Sequence, residues 1–160
     1  MIEGGGSNKE EAEGWLAEQG MGKLLGTRRS ADANARPRRY RTSTGWSVWV
    51  GRNNQENDLL SHRLAGQNDI WFHAHGYPGA HVVLRREDHQ DEPSAQTLRE
   101  AAGLAAYWSK GKTARKVPVV YTLVKHVSKP RGAAPGQASM KREKTLMVEP
   151  SLIPEEEKRI

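Results

Sequence analysis

The sequence predicts an α+β domain: a largely antiparallel sheet built from hairpins, two packed helices, and a flexible basic arm at the N-terminus. Three observations carry this prediction. Short β-rich runs alternate apolar and polar residues and are joined by tight turns rich in Gly and Pro, as antiparallel hairpins require. Two segments, 53–66 and 94–110, instead show the three-to-four-residue apolar spacing of helices. Residues 1–37 sustain neither pattern: Asn8–Leu25 holds the makings of a short helix (Ala12, Trp15, Leu16), but Gly20, Gly22 and Gly26 interrupt it, and Arg28–Arg39 reads as a polar basic linker.

Taken in order, Tyr40–Thr42 and Trp46–Val50 flank Ser43-Thr44-Gly45 and read as a hairpin, with Gly45 at a position of positive φ and Trp46, Val48 and Val50 on one face. Asn53 followed by Glu56 resembles a capping box, Leu59, Leu60 and Leu64 fall on one stripe, and Gly66 follows as a stop, giving a helix of about three turns. Asp69–His75 alternates as a strand, with Ile70, Phe72 and Ala74 on one side and Trp71, His73 and His75 on the other. The turn Gly76-Tyr77-Pro78-Gly79 leads into a second strand over Ala80–Arg85. Pro93-Ser94 opens a helix to about Lys110, with a seam of Leu98, Ala101, Ala105 and Trp108 whose alanines allow close packing on a sheet. Val117–Val127 is the longest β-rich run, Pro130–Gly136 is a loop, and Lys144–Val148 is a last strand. The folded domain is therefore placed at 38–150, preceded by the arm over 1–37 and followed by a charged tail over 151–160.

A chain of 160 residues suits one domain with one site. The absence of cysteine excludes disulfide frameworks and thiolate zinc sites and fits a reducing compartment, so cytoplasm is the default location. No apolar run approaches the roughly 18 to 20 residues that cross a bilayer, and no membrane partner is expected. The net charge is +6 and the pI about 9.7, and the distribution is more telling than the total. Residues 22–52 hold eight basic residues against Asp32 alone, and 110–144 hold ten against Glu143. They bracket a middle, 53–109, with eight acidic and four basic residues. A charge run is often just a solvated face; two blocks this lopsided favour a polyanion, because clustered Lys and Arg neutralise phosphates and release counterions.

Several motifs carry chemistry. Gly51-Arg52-Asn53-Asn54 lies between a strand and a helix start, where helix amides and Arg52 can hold a phosphate; the alternative is that Gly51 allows the turn while Asn53 and Asn57 cap and bridge loops. In Lys129–Gly136 the glycines let backbone amides approach a ligand beside Lys129 and Arg131, with Lys125, Lys141 and Arg142 in neighbouring strands enlarging the patch. His73, His75 and His81 lie on two strands joined by a tight turn. That set admits a metal, acid–base work, or a hydrogen-bonding surface for a base or ribose. No carboxylate or cysteine accompanies it at ligand spacing, so the reading favours His73 and His81 as hydrogen-bonded structural residues near the phosphate-binding surface, where partly protonated histidine would add to the pull on phosphates. Trp71, like Trp46, Trp49, Tyr107 and Trp108, is read first as core.

Four stretches in order, Val50–Asp58, Asp69–Val83, Glu100–Lys110 and Lys129–Gly136, closely resemble the RNA-binding module of the NFACT family, the domain called NFACT-R. The likeness runs from about Arg38 to Val148. That family comprises ribosome-associated quality-control factors, some of whose bacterial members were first labelled fibronectin-binding proteins. The resemblance implies binding to tRNA and ribosomal RNA, with the large ribosomal subunit as partner where the module sits in a full-length factor that adds alanine tails to stalled chains. The family's large N-terminal domain, helix-hairpin-helix unit and long coiled coil do not occur in this sequence, and Glu10–Gln19 is readable as a coiled-coil remnant. Where the family often carries Lys or Arg at position 75 and an aliphatic residue at 77, this chain has His75 and Tyr77.

The candidate RNA contacts are Arg52, Asn53, Asn54, His73, His75, His81, Lys125, Lys129, Arg131, Lys141 and Arg142. No catalytic residue, metal, cofactor or small-molecule substrate is assigned, and the module is not expected to be an enzyme by itself. The alternatives are a stand-alone RNA-modification accessory factor, a His-dependent RNA-processing enzyme, and a module whose basic face docks an acidic protein.

Overall fold

The alternation read from the sequence becomes a sheet with two differently covered faces. A computed structural model describes residues 36–155, so the arm's helix, linker and coiled-coil readings over 1–35, and the last five residues, lie outside the described residues. Six strands, β1 (Arg38–Arg41), β2 (Ser47–Val50), β3 (Ile70–Ala74), β4 (Val82–Arg85), β5 (Val117–Leu123) and β8 (Lys144–Val148), lie in the order β1-β2-β4-β3-β5-β8. Every neighbouring pair is antiparallel. A separate ribbon pairs β6 (Val127–Ser128) with β7 (Ser139–Met140). The two helices are α1 (Asn54–Leu59) and α2 (Ala95–Tyr107).

One face is the main core. Val48, Val50, Ile70, Phe72, Ala74, Val82, Leu84 and Val119 point there and pack against Ala101, Ala102, Leu104, Ala105 and Ala106 of α2. The small side chains of α2 let its backbone approach the sheet, as its alanine content predicts. On the opposite face Trp71, Val83 and Val120 meet Leu60, with Trp49, Val127 and Met140 beside them. Val82 and Leu84 belong to one cluster and Val83 to the other, the period of two that a strand buried on both faces requires.

Turns and caps fix the register. Gly45 sits at φ +91 in the β1–β2 turn, and Ser43 donates to Glu100 of α2 from both its amide (2.8 Å) and its hydroxyl (2.5 Å). Asn53 caps α1 by accepting from the Glu56 amide (2.9 Å). The reciprocal bond of the expected capping box is displaced by one residue: the Glu56 carboxylate accepts from the amide of Arg52 (2.9 Å) rather than that of Asn53.

The expected three-turn helix is a short α segment that widens into a π turn over Leu60–Leu64, closed by Ala65 N–H to Leu60 C=O (2.9 Å). The wider turn accompanies burial of Ser61, whose hydroxyl is used by the rings of Trp71 in β3 and of His81 just before β4.

α2 is capped by Ser94 and ends at Tyr107, three residues before the predicted end. Trp108–Lys110 leave the helix because they pair with the β3–β4 turn: Ala80 donates to the Trp108 carbonyl (3.0 Å), Lys110 donates to that of Pro78 (2.8 Å), and Gly79 bridges Ser109. A side chain at position 79 would collide with Ser109, so this splice needs glycine. Beyond β8 the chain crosses α2, with Ser151 N–H bonded to the Gly103 carbonyl (3.1 Å) and Ile153 against the core, and Glu155 returns to pair with Tyr40 of β1.

Candidate functional site

The β2–α1 turn, the β3–β4 turn and the exit from α2 enclose a groove of about 460 Å³. Arg38, Arg52, Asn53, Asn54, Tyr107, Trp108, Lys110 and Lys112 line it, and none of its lining residues is acidic. A second hollow, between α2 and β8, mixes Arg99 and Lys116 with Glu100 and Glu149, so the two differ in sign as well as place. One wall of the groove is hydrogen-bonded along its length: the splice of Pro78–Ala80 to Trp108–Lys110 forms it, and the Tyr77 ring packs against Gly111 beneath it. The Arg38 guanidinium lies over the Trp108 indole (4.0 Å to the centroid), and Lys112 Nζ lies over the Tyr107 ring (4.2 Å).

Of the predicted contacts, Arg52, Asn53 and Asn54 line this groove. In the first turn of α1 the Glu56 amide is taken by the Asn53 side chain (2.9 Å), and the Asn57 amide bonds the Asn53 carbonyl (2.8 Å). Arg52 is paired with Glu56 through Nε (3.0 Å) and Nη2 (2.6 Å), which stabilises its charge and raises its pKa. Asn57 is buried and accepts from the His81 amide (3.1 Å), the bridging role the alternative reading gave it.

The 129–136 loop is clamped from below by one carboxylate. Asp58 accepts from Lys129 Nζ (2.6 Å) and from the amide of Gly136 (2.9 Å), which sits at φ +89 against the Asn54 side chain. Lys129 is thereby an ion-pair partner of α1, while Pro130, Arg131 and Gly132 remain exposed at the tip. Lys125, Lys141 and Arg142 are exposed at the base of the β6–β7 ribbon, where Lys141 N–H bonds the His126 carbonyl (3.0 Å). The basic residues expected in one patch thus occupy the tip and the base of a single ribbon.

The three histidines do different things. His81 is 1% exposed, and both ring nitrogens are engaged: Nδ1 with the Ser61 hydroxyl (2.7 Å) and Nε2 with the Gly136 carbonyl (2.9 Å). A carbonyl only accepts, so Nε2 carries the proton and Nδ1 accepts from Ser61, which in turn accepts from Trp71 Nε1–H (2.9 Å). Burial, reinforced by His73, pushes the His81 pKa down to about 3. The expectation that His81 is partly protonated and pulls on phosphate therefore fails. It is a neutral strut that holds the loop at Gly136. His73, half-buried against Trp71 and edge-on to His81, also has its pKa lowered, chiefly by burial; His75 is exposed next to the β3–β4 turn.

Sequence reasoning missed Arg38, Lys110 and Lys112 as groove cations and read Tyr107 and Trp108 only as core. The available signal was local: Lys110-Gly111-Lys112 directly follows the aromatic pair at the helix exit. Among the described residues, no helix is long and apolar enough to cross a membrane.

Residues 36–142 match the family model described as the NFACT protein RNA binding domain. The chain is 44% identical over 111 residues to the Rqc2 homolog RqcH of Bacillus subtilis, covering 69% of this chain and 19% of that protein. It is 39% identical over 117 residues to the Rqc2 homolog RqcH of Streptococcus suis, covering 72% and 21% respectively. It thus spans about a fifth of the length of these relatives. The C-terminal part of the fibronectin/fibrinogen-binding protein from Streptococcus suis has a similar structure, with a TM-score of 0.67 and 40% identity over 72% of this chain and 46% of that one.

Proposed function

The chain belongs to the family of NFACT protein RNA-binding domains, and on that footing we propose that it is a non-catalytic module that holds tRNA or ribosomal RNA through sugar-phosphate contacts. The observation that carries the reading is the groove lined by Arg38, Arg52, Lys110 and Lys112 with no acidic residue among its walls. Phosphates entering it exchange their counterions for fixed ammonium and guanidinium groups, a gain in ion entropy that weakens as salt rises. Asn53 and Asn54 add polar side chains, and Arg131 on the adjoining loop extends the cationic surface outward, with Lys125, Lys141 and Arg142 continuing it along the ribbon. His73 and His75 flank this surface. Arg52 and Lys129 contribute less than their formal charge, because Glu56 and Asp58 already neutralise them, and His81 acts only by positioning the loop. Placed within a longer relative, such a module secures RNA on the large ribosomal subunit during ribosome-associated quality control.

Anisotropy titrations with labelled tRNA between about 50 and 200 mM salt test the proposal. Affinity falls steeply with salt, and the double substitution Lys110→Gln with Lys112→Gln weakens binding and shallows the slope by about 0.7 to 0.9 for each phosphate that is no longer neutralised. A flat salt dependence, or a double variant that binds as tightly as the parent, refutes it.

A further inference from the structure

We infer that the groove takes an unpaired stretch of RNA, one nucleotide of which lays its base on the outer face of the Arg38 guanidinium. The inference rests on the RNA-binding reading above and specifies the form of RNA this site accepts.

The argument starts from how Arg38 is held. It lies on β1 opposite Val50, so the backbone ladder fixes its root. Its guanidinium lies on the Trp108 indole at 4.0 Å, and the indole is oriented by a hydrogen bond from Trp108 Nε1 to the hydroxyl of Tyr40 (3.0 Å), a residue only 3% exposed. A guanidinium is planar, so the side turned away from the indole offers a flat, cationic face on which part of a base can rest. Arg38 is half-buried and lines the groove, so that second side is available to a ligand lying there. Bases stack on arginine planes as they do on aromatic rings, and only an unstacked base exposes the face required.

Two features separate this position from the other arginine–tryptophan contacts. Trp49 is flanked by Arg39 (4.5 Å) and Arg85 (4.3 Å), but Arg85 is tied to Asp69 (2.7 Å) and neither arginine lines this groove. The Arg38 platform instead opens into about 460 Å³, a volume in the range of small-ligand sites and suited to a nucleotide rather than a helical duplex. Lys110 and Lys112 reach the same space from the α2 exit, which places ammonium groups where the phosphates flanking a stacked base must run. The hydrogen-bonded splice beneath them keeps this geometry in the free protein, so little ordering is lost on binding.

The test compares a single-stranded RNA oligonucleotide with a blunt duplex of the same length at matched salt, using the parent protein and Arg38→Lys. Lysine retains the charge and its contact with the indole but removes the plane. The parent is expected to bind the single strand about tenfold more tightly than the duplex. Arg38→Lys is expected to lose about tenfold on the single strand with its salt slope kept, and to lose less on the duplex, so that the preference for the single strand falls toward parity. Equal affinity of the parent for the two RNAs overturns the inference, as does a variant that weakens both in parallel; in either case RNA binding itself stands. Failure of the parent to bind either RNA removes both this inference and the reading beneath it.

Discussion

Replacing His81 by glutamine isolates the energetic consequence of burying a titratable ring under the 129–136 loop. The folded protein holds His81 at a pKa of about 3 against 6.5 for the free group, so between those values the unfolded chain binds a proton that the folded chain refuses. Stability from this group is complete above about pH 6.5 and is lost as the pH falls toward the folded value. Each pH unit in that window costs about 1.4 kcal/mol, so moving from about pH 7.5 to about pH 5 removes roughly 2 kcal/mol. Glutamine offers an N–H for the Gly136 carbonyl and an oxygen for the Ser61 hydroxyl, but cannot titrate. Urea unfolding of parent and His81→Gln at the two pH values measures the difference directly. The parent should lose roughly 2 kcal/mol more than the variant over the interval, while the lowered pKa values of His62 and His73 contribute equally to both. Identical pH dependence in the two proteins would refute the assignment of His81 as a buried neutral strut.

Asp58→Asn removes the partner of Lys129 and weakens the bond to the Gly136 amide. Because Lys129 is more than a third exposed, the expected loss is only about 1 kcal/mol, read from a modest fall in Tm. The same change frees a cation beside the groove, so the salt slope of tRNA binding should steepen by up to about 0.9; a shallower slope would mean that the ion pair is needed to present the loop. Gly51→Ala drives a Cβ into the Asn57 side chain and disturbs its bond from His81 N–H, with an expected cost of about 1 to 3 kcal/mol in urea unfolding. A neutral Gly51→Ala would show that the β2–α1 turn has slack that its packing does not suggest.

The parts of this fold that could be read from the sequence are those set by near neighbours. The β1–β2 and β3–β4 hairpins follow from strict alternation around turns containing Gly45 and Gly76–Gly79, and the start of α2 follows from Ser94. What could not be read depends on partners far along the chain. The early end of α2 arises because residues 108–110 are claimed by residues 78–80, and no helical propensity encodes that competition. Charge was read correctly in total and less well in detail. The pattern showed two basic blocks but not that Glu56 and Asp58, four and seventy-one positions from their partners, neutralise Arg52 and Lys129. The groove itself joins Arg38 to Lys110 from distant parts of the sequence, so its cations were visible individually while their meeting point was not. His81 was legible as a hydrogen-bonded structural residue but not as a neutral one, because nothing local announces that Ser61 and Gly136 enclose its ring.

The pairing of Glu155 with Tyr40 brings the polypeptide back to the outermost strand on which the folded unit begins. A unit whose incoming and outgoing backbone share one corner can be hung from a host protein like a bud on a stem, leaving the host's own path almost undisturbed. The groove's borders, residues 51–54 and 78–80, lie within the unit and away in sequence from both of its ends, so attachment there alters none of them.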